Sequence, residues 1–265
     1  MSKIYSLKHS LRVFGWLLYV DARSLWKDFF NNLLDAAVWP FFIIFVNGII
    51  LPKMGMPADY GAFITISMVV IMSAFSARSS ATLIAADLDG PQTIAYELTL
   101  PLPYWMVWLK NSLYLSLKAI LFNTLPLFLG KIILGSQLNF SHFSLFKFSI
   151  IYTISALFFG AFALFTTVLT NTLKSYSRLQ ANFIRPMTFL NGFTSSWAIT
   201  YAISPVLGIF MRCLPWIYAY EGCRAAILGQ DGYINIWVCV GMLTLYTIVF
   251  TMASLWLFKK RMDCV

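Results

Sequence analysis

The chain has 265 residues, of which 60% are hydrophobic and 11% charged, and its mean hydropathy is +0.76. Soluble domains average about 45–50% apolar and about 25% charged residues, so this composition excludes a water-soluble enzyme, a nucleic-acid binder and a disordered chain. The net charge of +9 comes from Lys and Arg set between and beside apolar runs, the pattern of topology determinants facing anionic lipid.

Residues 1–34 come first. Leu7, Leu11, Phe14, Leu18, Leu25 and Phe29 recur at helical spacing, while Lys8, Arg12, Tyr19, Arg23 and Lys27 gather on another side. This periodicity predicts an amphipathic helix lying in the membrane interface, cations toward the headgroups. An ordinary solvated helix would leave Phe14, Trp16, Trp26 and Phe29 wet.

Five stretches then lack any Asp, Glu, Lys or Arg: Ala36–Pro52, Gly61–Ala77, Phe148–Leu173, Pro186–Met211 and Gly232–Phe258. Each is close to the roughly 20 residues a crossing needs. A sixth candidate, Trp105–Leu134, is interrupted by Lys110, Lys118 and Lys131. Loop charge decides in its favour. With six crossings and both ends in the cytoplasm, Arg78, Lys110, the Lys174–Arg185 cluster and Lys259-Lys260-Arg261 fall inside. Only Lys53, Lys131, Lys147, Arg212 and Arg224 fall outside. Dropping Trp105–Leu134 would reverse both basic clusters, against the positive-inside bias.

Two connections are too long and too patterned to be plain turns. Residues 84–101 hold Asp87, Asp89 and Glu97 around Gly90-Pro91, and the stretch Gln92–Leu100 is expected to form a short helix ending before Pro101. Residues 197–231 carry Pro205, Pro215, Gly208 and Gly229 among aromatics, a re-entrant segment of broken helices such as membranes tolerate against protein or a cavity. Within it Pro215 suits a first helical turn. Glu221 and Arg224, three apart, are expected to pair at a shallow, partly desolvated depth. Trp216, Tyr218 and Tyr220 suit the headgroup zone.

No Gly-rich phosphate loop exists: the one Gly-Lys pair, Gly130-Lys131, is followed by Ile132 and preceded at the required distance by Leu125. Energised work would therefore need a separate engine. Cys213, Cys223, Cys239 and Cys264 show no metal-ligand spacing, and a Cys213–Cys223 bridge stays open. Asn139-Phe140-Ser141 fits a glycosylation sequon, a weak pattern outside a secretory setting.

This order of elements resembles the ABC-2 type permeases. Family members often carry Gly-Thr-x-Glu-x-Leu-x-x-x-Pro after the second span. Here Thr93 and Pro101 match, Leu98 is displaced by one position and Gly90 by two, and Ala95 replaces the Glu. The family's Asn-Pro-Leu-x-Tyr-x-x-Glu-x-x-Arg run is matched by Pro215, Tyr218, Glu221 and Arg224, with Leu214 and Trp216 departing. The resemblance spans nearly the whole chain and implies a single all-α domain, residues 1–265. That domain would comprise six transmembrane helices, an interfacial helix, a cytoplasmic coupling helix and broken re-entrant outer helices.

The resemblance further implies a bacterial inner-membrane permease, paired with a second copy of itself and driven by two copies of an ABC nucleotide-binding subunit. ATP and Mg would belong to that subunit, with no cofactor, enzymatic activity or nucleic acid for this chain. Asp87, Asp89, Gly90, Thr93, Tyr96, Glu97 and Leu98 would form the coupling contact, against the plainer reading of a solvated loop. Pro215, Trp216, Tyr218, Glu221 and Arg224 would form an outer gate, against a mere interfacial anchor. Lys118, Asn191 and Trp197 are pathway candidates; a snorkelling lysine and helix–helix contacts are their plainer readings. The implied cargo is an amphipathic molecule, a lipid-linked glycan first, with drug efflux next. A membrane glycosyltransferase using Asp87-x-Asp89 as metal ligands and a passive channel are the rivals from other classes.

Overall fold

The computed structural model describes residues 7–90, 96–97, 99–100 and 102–262. All regular structure among them is helical: α1 (Leu7–Lys27), α2 (Phe29–Lys53), α3 (Tyr60–Asp89), α4 (Tyr104–Phe122), α5 (Leu125–Leu134) and α6 (Leu145–Val168). Then follow α7 (Leu173–Leu179), α8 (Arg185–Thr188), α9 (Trp197–Ile203), α10 (Pro205–Cys213), α11 (Trp216–Ile227) and α12 (Ile236–Met262). Five helices are long and apolar enough to cross a membrane: Phe29–Lys53, Tyr60–Asp87, Tyr104–Gln137, Leu145–Val168 and Ile236–Lys260. The chain is thus an all-helical protein with the composition and helix lengths of a membrane protein.

The sixth candidate, interrupted by three lysines, is present as the helical run α4 and α5, broken at Asn123-Thr124. Pro126 sets the break, because it has no N–H to return to Phe122 and suits the first turn of a new helix. Residues 186–211 differ from the expectation of one charge-free crossing. Thr172 caps α7 by accepting the Ser175 N–H at 3.2 Å, so the helical run starts there. It continues through wider turns at Gln180–Ile184 and Phe189–Phe193, taking in Lys174, Arg178 and Arg185. It stops at Gly192, whose φ of +94° lies in the left-handed region that side-chain-bearing residues avoid. Ser204-Pro205 then separates α9 from α10.

The core is centred on α3 and α6. Ile64, Ile66, Met68, Val69 and Val70 of α3 are buried against Ile151, Phe158, Phe159 and Leu164 of α6. α2 and α12 lie outside and leave Phe41, Phe42, Leu245, Ile248, Val249 and Met252 exposed, an apolar surface that water would not tolerate but lipid would. Polar residues inside the spans return to their own helices: Thr65 donates to the Gly61 carbonyl, Ser73 to Val69 and Ser116 to Ser112, each within 3 Å. Longer reaches join helices. Trp108 Nε1 donates to Ser254 Oγ at 2.9 Å with its ring stacked on Phe258 at 4.4 Å, and Tyr152 Oη donates to the Ala119 carbonyl at 2.7 Å.

α4 and α6 approach closely because Gly160 has no side chain. A Cβ there would lie 2.8 Å from the Ser112 carbonyl oxygen and 2.5 Å from Ser116 Oγ, and small residues drive such crossings in lipid. Gly160→Leu is expected to wedge the pair apart at a cost of about 1–3 kcal/mol. A lowered thermal midpoint of the detergent-purified protein would register it.

Cys213, Cys223 and Cys239 are free thiols, Cys213 exposed and Cys223 buried, so the bridge that the spacing left open is not formed.

Candidate functional site

Two charged clusters stand out in a bundle this apolar, one at each end of α3. The first is built on α11. Pro215 stands at the start of this helix, as its fixed φ favours, and all twelve residues from Trp216 to Ile227 are buried. Trp216, Tyr218 and Tyr220 therefore lie in the protein core, not in a headgroup zone as their amphipathic rings suggest. The reason is packing: α11 is covered by α3, α6 and α12.

Glu221 and Arg224 do pair, with Arg224 Nη1 3.4 Å from Glu221 Oε1, but both side chains are 0% exposed. This corrects the expected partly desolvated pair. Full burial of two charges is tolerable only when their remaining donors and acceptors are met, and most are. Arg224 Nη2 donates to Ser67 Oγ and to the Gly192 carbonyl, both at 2.6 Å, and to the Phe193 carbonyl at 3.1 Å. Its guanidinium also lies 3.6 Å from the centre of the Phe63 ring. Glu221 Oε1 accepts the Trp197 N–H at 3.1 Å and Oε2 the Ile234 N–H at 3.3 Å.

The pair therefore fastens four segments at once: α3 through Ser67 and Phe63, the helix end at Gly192, the start of α9, and the approach to α12. Gly192 is indispensable to it. Its carbonyl reaches Arg224 because of the left-handed φ, and a Cβ there would meet Ile217 Cδ1 at 2.5 Å. Above this junction, Trp197 Nε1 donates to the Gly208 carbonyl at 3.0 Å, the Arg212 guanidinium covers the Trp197 ring at 3.8 Å, and Tyr218 Oη donates to the Arg212 carbonyl at 2.7 Å. Pro215, Trp216, Tyr218, Glu221, Arg224 and Trp197 thus form one packed unit.

Asn191 is buried one residue before this kink, and its Oδ1 finds no hydrogen-bond partner among the described residues. Lys118 belongs elsewhere. It is half-buried on α4, with Asp28 just before α2 and Asp35 within it acting on it electrostatically. Lys118 and the Asn191–Trp197 pair therefore belong to different parts of the bundle.

The second cluster occupies the opposite end of α3. That helix ends at Asp89 and Gly90; Thr93, Leu98 and Pro101 of the expected coupling motif lie outside the described residues, as does the side chain of Asp89. Tyr96 and Glu97 are helical, and the turn closes with the Thr99 N–H on the Tyr96 carbonyl at 2.9 Å. Tyr96 is 68% exposed. Glu97, which the resemblance places in the coupling contact, is engaged within the chain: Lys110 Nζ on α4 donates to its Oε1 at 2.7 Å. The same Lys110 lies 3.5 Å from Asp21 Oδ2 on α1. Burial pushes the Asp21 carboxyl above its ordinary range, Lys110 opposing and Glu97 adding to the rise.

Val13, Phe14 and Leu17 of α1 pack on Leu102, Met106 and Val107 beside this clasp. Lys110 thus joins α1, the Tyr96–Glu97 turn and α4. Asp21 was not singled out by sequence reasoning, although it is the one acid in an otherwise basic α1, and an acid in that setting needs a reason.

No protein-family model matches the chain, and neither curated proteins nor solved structures include a match to it.

Proposed function

We propose that the chain is the permease subunit of an ATP-driven ABC exporter of the ABC-2 type, working as two copies with two copies of a nucleotide-binding subunit. In this reading it crosses the bacterial inner membrane six times with both ends in the cytoplasm. The run from Leu173 to Phe193 supplies the additional crossing; at about 1.5 Å per residue it is about 30 Å long. Its charges Lys174 and Arg178 sit toward its start, on the inner side, and Arg185 lies just past its middle. α1 lies in the inner interface, where its exposed Leu11, Trp16, Val20 and Trp26 meet lipid. The apolar outer faces of α2 and α12 serve the bilayer and the second copy. The cargo is an amphipathic, lipid-like molecule, with a lipid-linked glycan preferred.

The observation that carries this reading is the Lys110 clasp. An elbow that must transmit a push has to be held rigidly to the spanning helices while one side stays open to the engine. Lys110 fixes Glu97 to α4 and α1, and Tyr96 remains exposed. Co-expression with candidate ATP-binding-cassette subunits and affinity purification of this chain tests it. An ATPase is expected to co-purify, and Tyr96→Ala is expected to weaken that association several-fold while leaving the thermal midpoint unchanged. Full transport by the chain alone in liposomes would overturn the proposal.

A further inference from the structure

Next to the buried junction, with which it shares Phe63, lies a cavity of about 780 Å3. We infer that it is a binding site for an uncharged saccharide, of two to four sugar units. Four separate connections converge on it: Pro57 and Asp59 before α3, Gln137 to His142 between α5 and α6, Ser195 and Ser196 before α9, and Asp231 and Tyr233 before α12. None of these segments is a neighbour of another in sequence, so the fold has assembled them. The volume falls within the roughly 300–1,000 Å3 of small-ligand sites.

The chemistry of the lining selects among ligands. In a chain of net charge +9, no Lys or Arg is among the residues described as lining this cavity, whereas two carboxylates are. Phosphate, nucleotide or carboxylate ligands would meet like charge without a counter-ion. A wholly apolar ligand would desolvate the Gln137 amide and the Asp59 and Asp231 carboxylates of the lining without replacing their water.

An organic cation would find one aromatic surface of the lining already taken, since the Phe63 ring carries the Arg224 guanidinium at 3.6 Å. Carboxylates, amides, hydroxyls and rings together suit a neutral ligand with many hydroxyls and an apolar face. Carboxylates and amides take the hydroxyls, and the Tyr60 and Phe63 rings, stacked with centroids 6.0 Å apart, offer surface to the C–H face of a sugar ring.

This deepens the export reading, on which it rests only for placing the cavity on the outer side. Its test needs no ATPase. The purified full-length chain in lipid nanodiscs would be titrated with maltose, chitobiose and maltotetraose, and separately with tetraethylammonium and inorganic phosphate, read by saturation-transfer NMR. Saturable binding of at least one saccharide is expected, weakened about tenfold by Asp231→Asn or Asp59→Asn, as befits loss of a hydrogen bond to a charged group. Both residues are exposed on connections, so the variants should fold; an unchanged thermal midpoint checks that. Binding of tetraethylammonium or phosphate instead, binding of no saccharide, or saccharide binding indifferent to both substitutions would overturn the inference. Loss of ATPase co-purification would count against the exporter alone, and loss of saccharide binding against this site alone.

Discussion

Arg224→Met is expected to destabilise the protein by about 3–5 kcal/mol, the cost of stripping one partner from a buried ion pair. Four losses coincide. Glu221 becomes a buried carboxylate without its counter-charge, the carbonyls of Gly192 and Phe193 lose their shared donor, Ser67 loses its link to α11, and Phe63 loses its cation. Glu221→Gln should cost distinctly less. The amide oxygen still accepts one of the N–H groups from Trp197 and Ile234, while Arg224 keeps three oxygen partners outside the pair. Thermal unfolding of both variants in one detergent gives the order. If Glu221→Gln proves the more damaging, Arg224 is not the centre of the junction.

The double variant Glu221→Gln/Arg224→Met should recover part of the loss, since no lone charge then stays buried, and the non-additivity measures the coupling. The effect should also reach function. The junction ties Ser67 on α3 and the Gly192 carbonyl to α11, so loosening it frees the Pro215–Arg224 stretch that the export reading takes as the outer gate.

Much of this architecture was legible in the chain because lipid simplifies the code. Charge-free runs mark spans, and four of the five fall in helices long enough to cross, the exception being Pro186–Met211. The α4–α5 crossing was recoverable despite three lysines because loop charge demanded it. Where reading failed, a local pattern met a tertiary fact. Ala36 to Pro52 underestimates α2 because the helix begins at Phe29, across Asp35, whose charge a count of apolar residues treats as a boundary. The stretch after Pro186 has no charge, so it reads as a span; but a glycine that must turn left-handed to feed Arg224 cuts it.

The Glu221–Arg224 spacing correctly announced a pair, while its depth could not be read, since burial is conferred by α3, α6 and α12 rather than by α11 itself. Likewise Glu97 and Lys110 are thirteen residues apart with a chain reversal between them, and Asp21 is farther still. No helical periodicity connects such residues. Only the fold of α1 against α4 does.

Lys110→Met tests that second assembly, and here pH supplies the discriminating measurement. Lys110 is 4% exposed and holds two carboxylates, Glu97 at 2.7 Å and Asp21 at 3.5 Å. Removing it leaves two like charges facing each other in a partly desolvated site, at an expected cost of about 3–5 kcal/mol near neutral pH. Desolvation already holds the Asp21 carboxyl above its ordinary value of 3.8, with Lys110 opposing the rise. A carboxyl raised on folding contributes stability that is full below its unfolded value and is lost as pH climbs through its folded value.

Without Lys110 the opposition is gone, and Asp21 rises further. The deficit of Lys110→Met relative to the parent protein should therefore be greatest at neutral and alkaline pH and shrink as the solution is acidified and the carboxyls take up protons. Asp21→Asn in the same background removes one of the two facing charges and should flatten that dependence. A deficit that stays constant or grows on acidification would mean that Lys110 serves α4 through packing alone. In that event α1 would be held by packing, through Val13, Phe14 and Leu17 on their small apolar cluster and the buried Leu25, and the elbow would have no charged anchor through which to move the bundle.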